Sequence, residues 1–211
     1  FEDFDSLERW EPLRFNNVSR HTKYTIESGD DGTSYLKMRS NDAGSGLVLK
    51  NELNPRKHPI VEWRWRVDEG ISGVNHHQKS GDDYPIRIYV LFDYKKSDLS
   101  WVQRLRYSTY RKLNGRYPPH SGLNFVWTQN PVDEESYPNP YADQVIMRVL
   151  RDEENETGVW KTERIHILEE YKAHFEKAPP NSGLRLAIMS DSNDSGQHTE
   201  AALDWIRVRE E

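Results

Sequence analysis

The sequence contains no cysteine, which excludes disulfides, thiolate nucleophiles and cysteine-based zinc sites. No apolar run approaches the roughly 18 residues that a membrane-spanning helix needs, so a membrane span is not expected. Net basic charge is lacking as well. At a formal −6 the chain works against a general nucleic-acid role, which needs a basic face for phosphates. There is no phosphate-cradling glycine loop, no Gly-x-Ser-x-Gly turn and no His-Glu-x-x-His helix, so nucleotide, esterase and zinc-protease chemistries are without support. Nothing calls for a cofactor.

Apolar residues make up only 35% of the chain and mean hydropathy is −0.96. Seven Trp, eleven Tyr and six Phe nevertheless supply large buried areas per residue, which separates the chain from disordered sequences and predicts an aromatic-rich core. The length of 211 residues suits one domain over residues 1–211. No repeat, low-complexity tract or linker interrupts it.

Short β-type runs separated by turn clusters dominate. They cover residues 22–27, 34–39, 46–50, 59–68, 85–94, 123–129, 144–151, 158–167, 183–190 and 201–209. Val61, Trp63, Trp65 and Val67 alternate with Glu62, Arg64 and Arg66, and Ile86, Ile88, Val90 and Phe92 alternate with Arg87, Tyr89 and Asp93. Each of these strands therefore has one buried face. Helical spacing is confined to residues 98–114 and 168–177. The fold class is all-β: a jelly-roll-type two-sheet sandwich, concanavalin-like, with one or two short helical insertions.

The segments Glu62-Trp-Arg-Trp-Arg-Val67, Lys79-Ser-Gly-Asp-Asp83, Arg87-Ile-Tyr-Val90, Asn139-Pro-Tyr141, Ser190-Asp-Ser-Asn-Asp194 and Asp204-Trp-Ile206 follow one another in an order that resembles the bacterial domain of unknown function 3047. The resemblance spans most of the chain and implies a bacterial, exported protein without an assigned activity. The first residue is Phe1 rather than Met, and a periplasmic or secreted location is the matching expectation. The opening Phe1-Glu-Asp-Phe4 with Trp10, and the closing strand after an acidic turn, are similar in architecture to jelly-roll lectins and glycan-active modules. Architecture alone does not dictate function.

Candidate chemistry falls in three places. If the two central strands are neighbours, Arg64, Arg66, Arg87 and Tyr89 form a cationic and aromatic surface suited to an anionic sugar, because guanidinium groups grip carboxylates and Tyr offers a stacking face. The alternative is a solvated sheet face with cross-strand ion pairs. The loop His76-His77-Gln-Lys79-Ser-Gly-Asp82-Asp83 delivers imidazoles, an amine and carboxylates just ahead of a strand; Lys79 and Asp82 are candidate substrate ligands, and His77, Asp82, Asp83 and Tyr89 candidate catalytic groups. Asp191-Ser-Asn-Asp-Ser-Gly196 follows the opening of a calcium loop. It has Ala202 at the twelfth position and no preceding helix, which excludes an EF-hand and leaves a sandwich-type calcium site or an Asx-rich turn. No metal is assigned.

A glycosidase needs two carboxyl groups about the scissile bond, drawn here from Asp82, Asp83, Glu163 and Asp191. A lyase needs a cation and a Tyr or His base, which Arg64, Arg66, Arg87, Tyr89 and His77 match better. Trp101, Trp127 and Trp160 are possible sugar platforms or core residues. The leading expectation is a glycan-recognising sandwich of the bacterial envelope that takes a polysaccharide or oligosaccharide, an anionic one included. A polysaccharide-degrading enzyme and an interaction module without a small ligand are the alternatives.

Overall fold

Strict alternation of large apolar with polar residues forces the chain into strands that bury one face, and two such sheets close on each other. The structure, a computed structural model, describes residues 1–94, 119–152, 156–176, 178–180 and 183–211. The helical segment expected at 98–114, with Trp101, lies outside them. Among the described residues no helix is long and apolar enough to cross a membrane.

The strands are β1 (Trp10–Leu13), β2 (Lys23–Ser28), β3 (Ser34–Asn41), β4 (Gly44–Leu49), β5 (Ile60–Glu69), β6 (Ile86–Phe92), β7 (Ser121–Trp127), β8 (Ser136–Asn139), β9 (Ala142–Arg151), β10 (Lys161–His166), β11 (Leu184–Asp191) and β12 (His198–Arg209). A 3-10 turn covers Lys79–Gly81, and helix α1 covers Ile167–Phe175. The larger sheet has seven strands in the order β1-β4-β11-β6-β7-β9-β8, and the smaller has five in the order β10-β5-β12-β3-β2. Late strands are inserted between early ones, β11 between β4 and β6 and β12 between β5 and β3. This interleaving makes the fold a jelly-roll-type sandwich.

Between the sheets, Val61, Trp63, Trp65 and Val67 of β5 meet Ile86, Ile88, Val90 and Phe92 of β6, all fully buried. Trp63 packs on Phe125 with ring centroids 5.4 Å apart, and Trp65 on Trp127 at 5.7 Å. Trp127 is thus core, not a sugar platform. A register shift between Leu203 and Trp205 lets Ala201, Leu203 and Ile206 all face inward, because a bulge reverses the alternation. Helix α1 begins on His166, whose Nδ1 accepts the Glu169 amide at 3.2 Å. It places Tyr171 against Phe92 at 4.7 Å.

A core built this way is sensitive to lost volume. Phe125→Ala is expected to cost about 3–5 kcal/mol in urea denaturation, whereas Val159→Ala, 49% exposed, should stay within about 0.5 kcal/mol.

Candidate functional site

The arginines of β5 and β6 do not share a surface. Those strands belong to different sheets, so Arg64 and Arg66 face outward from the smaller sheet while Arg87 and Tyr89 face outward from the larger one. The composite cationic face expected from the alternation is therefore split across opposite sides of the sandwich.

On the smaller sheet the charges are paired. Arg64 Nη1 reaches Asp204 Oδ2 at 2.8 Å, and Arg66 Nε reaches Asp68 Oδ1 at 2.6 Å. The guanidinium of Arg66 lies 4.5 Å from the Trp160 ring centroid and 5.7 Å from that of Tyr35, and Arg64 lies 5.3 Å from Trp160. Glu163 is equally occupied, accepting Trp65 Nε1 at 3.1 Å and Arg151 Nε at 2.8 Å. It takes no part in a carboxyl pair with Asp82, Asp83 or Asp191.

The larger sheet is different. Arg87 points outward yet is 1% exposed. Its Nε donates to Asp191 Oδ1 at 2.8 Å and its Nη1 to Asp82 Oδ1 at 3.0 Å. Nη2 donates to Asp191 Oδ2 and to the Asp82 carbonyl, and Nη1 makes a long 3.5 Å contact with the Tyr89 hydroxyl. Each guanidinium N–H therefore has an acceptor within the protein, and Arg87 cannot grip a ligand carboxylate as the sequence suggested. Asp82 Oδ2 accepts Asn139 Nδ2 at 3.0 Å, and Asp191 Oδ1 also accepts the Tyr84 amide at 3.2 Å. The Tyr84 ring stacks over the guanidinium at 4.5 Å.

Around this ion cluster lies a second apolar cluster of Tyr84, Val126, Tyr137, Met147 and Val149. Tyr84 and Tyr137 share a hydrogen bond between their hydroxyls. His76 stacks on Tyr84 at 4.4 Å, its Nδ1 2.8 Å from the Gly81 carbonyl and its Nε2 2.6 Å from Thr128 Oγ1. Gly81 is required here, since a Cβ would lie 2.3 Å from the Asn75 carbonyl oxygen. The adjacent His77 is exposed and sits 4.4 Å from the Tyr137 ring. Lys79 is exposed, with its ammonium 5.2 Å from the Tyr141 ring. The Tyr141 hydroxyl donates to Asp194 Oδ2 at 2.9 Å.

Asp83 and Asp191 settle the acidic turn. Asp83 accepts the amides of Asp194 at 3.2 Å and Ser195 at 2.6 Å, so its carboxylate clamps the turn and is not placed for catalysis. The Asp191 carboxylate is engaged by the Arg87 guanidinium. Among the described residues no group of His, Asp and Glu is arranged to hold a metal.

Burial governs the titration of the cluster. It pushes Asp191 up to about 8 against the pull of Arg87, with Asp83 and Asp82 adding to the rise. Asp82 is raised for the same first reason. Burial lowers His76 to about 4 and lifts Tyr89 to about 12. His76 is thus a neutral, fully hydrogen-bonded spacer, and Tyr89 remains a protonated donor, not a base.

No motif or spacing in the sequence marks Tyr84, Tyr137, Asn124 or Met147 as site residues. Asn139 and Tyr141 stood only within a resemblance segment. The segments carrying residues 79–83, 87–90, 139–141 and 190–194 all meet at Arg87. A family model described as "Protein of unknown function (DUF3047)" matches residues 8–207. The chain belongs to the DUF3047 family. No curated protein matches it significantly. Among solved structures, this DUF3047 chain is similar to the family 11 carbohydrate-binding module of cellulosomal cellulase Lic26A-Cel5E of Clostridium thermocellum, with a TM-score of 0.47 and 10% identity over 100% of this chain and 93% of that one. It is similar also to a family 12 xyloglucanase from Bacillus licheniformis, with 0.45 and 9% over 99% and 97%. The xyloglucanase domain of NopAA from Sinorhizobium fredii gives 0.47 and 8% over 98% and 100%. Likeness at that level carries no argument about residues or activity.

The charge balance of the cluster makes a measurable statement. A carboxyl whose folded pKa is raised contributes stability that is full below its unfolded pKa, near 3.8 for Asp191, and lost as pH rises through the folded value of about 8. Arg87→Met removes the cation that pairs with both acids and is expected to cost about 3–5 kcal/mol at pH 8. At pH 5 the orphaned carboxyls take up protons and the loss should shrink, and His76, whose pKa Arg87 helps to lower, protonates at less cost in the variant and works in the same direction. Urea titrations at the two pH values check this, and an equal loss at both would contradict it.

Proposed function

We propose that this protein binds a neutral glycan on the outward face of the larger sheet, over Tyr89 and the rim formed by His77, Lys79 and Tyr141. The observation that carries the reading is an ion cluster buried on the side of a sheet where solvated side chains are the rule, rimmed by aromatic and hydroxyl groups. Burying such ions costs several kcal/mol per charge before pairing offsets it. The return is rigidity: Tyr84, Tyr137 and Tyr89 are held in one arrangement by the Arg87 network, and a preorganised surface loses less entropy on binding. Aromatic faces suit the apolar faces of pyranose rings, and Tyr hydroxyls exchange hydrogen bonds with sugar hydroxyls.

Charge selects the class of sugar. Asp82, Asp83 and Asp194, joined by Asp191 as it ionises near pH 8, outnumber Arg87 and Lys79 at this end of the sheet, and the Arg87 donors are consumed internally. An anionic polysaccharide is disfavoured by like charge, and an uncharged chain is not. Binding is favoured over turnover for a related reason. Asp82, Asp83 and Asp191 are each less than 5% exposed and engaged, and Tyr89 holds its proton to about pH 12, so neither a glycosidase pair nor a lyase base faces the open side.

Calorimetric titration with cellohexaose, mannohexaose and polygalacturonate tests the reading. At least one neutral oligosaccharide is expected to bind. Tyr89→Ala should weaken it by about tenfold or more, the effect of losing about 1–2 kcal/mol of aromatic contact. Arg64→Ala, on the opposite face, should leave it unchanged. Binding of polygalacturonate alone, or dependence on Arg64 instead of Tyr89, would refute the proposal.

A further inference from the structure

Asn124 occupies an outward position on β7, directly across from Tyr89 on β6 and from Met147 on β9. It is fully buried. Its Nδ2 lies 3.2 Å from Met147 Sδ, a weak acceptor, and among the described residues its Oδ1 has no hydrogen-bond partner. A buried polar atom left in that state costs about 1–3 kcal/mol. Turning the amide end for end does not help, since the NH2 group would then be unpartnered and the oxygen would face sulfur.

Other described side-chain atoms in this condition have a different setting. Trp63 Nε1 and Trp127 Nε1 belong to core residues between the sheets, while Arg66 and Glu156 carry ion-pair partners. Asn124 stands on the face of the site. Its cross-strand neighbour Tyr89 is half-buried, and the Tyr89 hydroxyl receives only the long contact from Arg87. Among the described residues nothing accepts the Tyr89 proton. An amide atom and a phenol proton without partners thus belong to side chains paired across adjacent strands. A hydroxyl both donates and accepts, so it satisfies Asn124 in either orientation and Tyr89 as well.

We propose that Asn124, buried in the free protein, receives a hydroxyl group of the bound sugar when the side chains over it move aside and, with Tyr89, sets the specificity of the site for neutral, hydroxyl-bearing rings. The inference rests on the glycan reading of the same face. It separates stability from function at one residue: a side chain retained for the fold loses stability when replaced, whereas an orphaned amide retained for a ligand does not. Exchanging an unsatisfied buried polar group for an apolar one of similar size is neutral or stabilising.

The experiment compares the parent protein with Asn124→Leu and with Asn124→Ala, which demands no extra space if leucine is not accommodated. Each is melted, and each is titrated calorimetrically with cellohexaose, xylohexaose and mannohexaose. The expected result is that Asn124→Leu melts at or above the parent and that the variants lose at least about tenfold in affinity, the worth of one buried hydrogen bond. Unchanged affinity in variants of a parent that binds would overturn the role of Asn124 and leave the glycan reading standing. Lower melting temperatures with unchanged affinity would mean that Asn124 serves the fold or an ordered water. A parent that binds none of the sugars would sink both readings together.

Discussion

The guanidinium of Arg87 ties the end of the neighbouring strand β11 to the loop before β6. Its fork closes on Asp191 at the end of β11, its other side on Asp82 in the loop before β6, and its face on Tyr84. Through Asp82 the network reaches Asn139 at the end of β8, and Asp83, the next residue along, fastens the 191–196 turn. Remove the cation and two buried carboxyls lose their common partner while the loops lose their common attachment. The arrangement of the whole end of the larger sheet therefore depends on one side chain.

That dependence also explains why the two arginine faces differ in meaning. On the smaller sheet, Arg64 and Arg66 stack on Trp160 and pair with Asp204 and Asp68 while remaining partly solvated. Water screens such pairs, and they contribute little. On the larger sheet the ions are removed from water, where an incomplete set of partners is costly. Sequence alternation assigns both sets to outward positions without distinguishing a solvated arginine from one roofed by Tyr84, Tyr137 and the loop from His76 to Asp83.

Every strand expected from alternation is present within a few residues, and helix α1 falls close to the expected 168–177. The strands that escaped notice were β1 and β8, each four residues long. They contain Pro12 and Pro138, and they form the two edges of the larger sheet. Proline breaks the sequence signal of a strand but is tolerated where one side needs no ladder partner. The site was legible in its parts, since Asp82, Arg87, Tyr89 and Asp191 were all singled out, but not in its pairing. Periodicity gives the face of a strand and leaves open which sheet the strand joins, so parity alone groups Arg64 with Arg87. Asn124 escaped because a lone Asn at an outward position reads as ordinary surface until Met147 and Tyr89 are seen on either side of it.

On the reading proposed above, the Arg87 network presents a ligand surface on the larger sheet. Hydrogen–deuterium exchange with and without the tightest-binding oligosaccharide addresses it directly. Slowed exchange confined to residues 76–90, 137–141 and 190–196 is the predicted result, because ligand binding suppresses the local opening of segments it holds. Protection over residues 33–39 and 160–166 on the smaller sheet, with no change around Arg87, would contradict it.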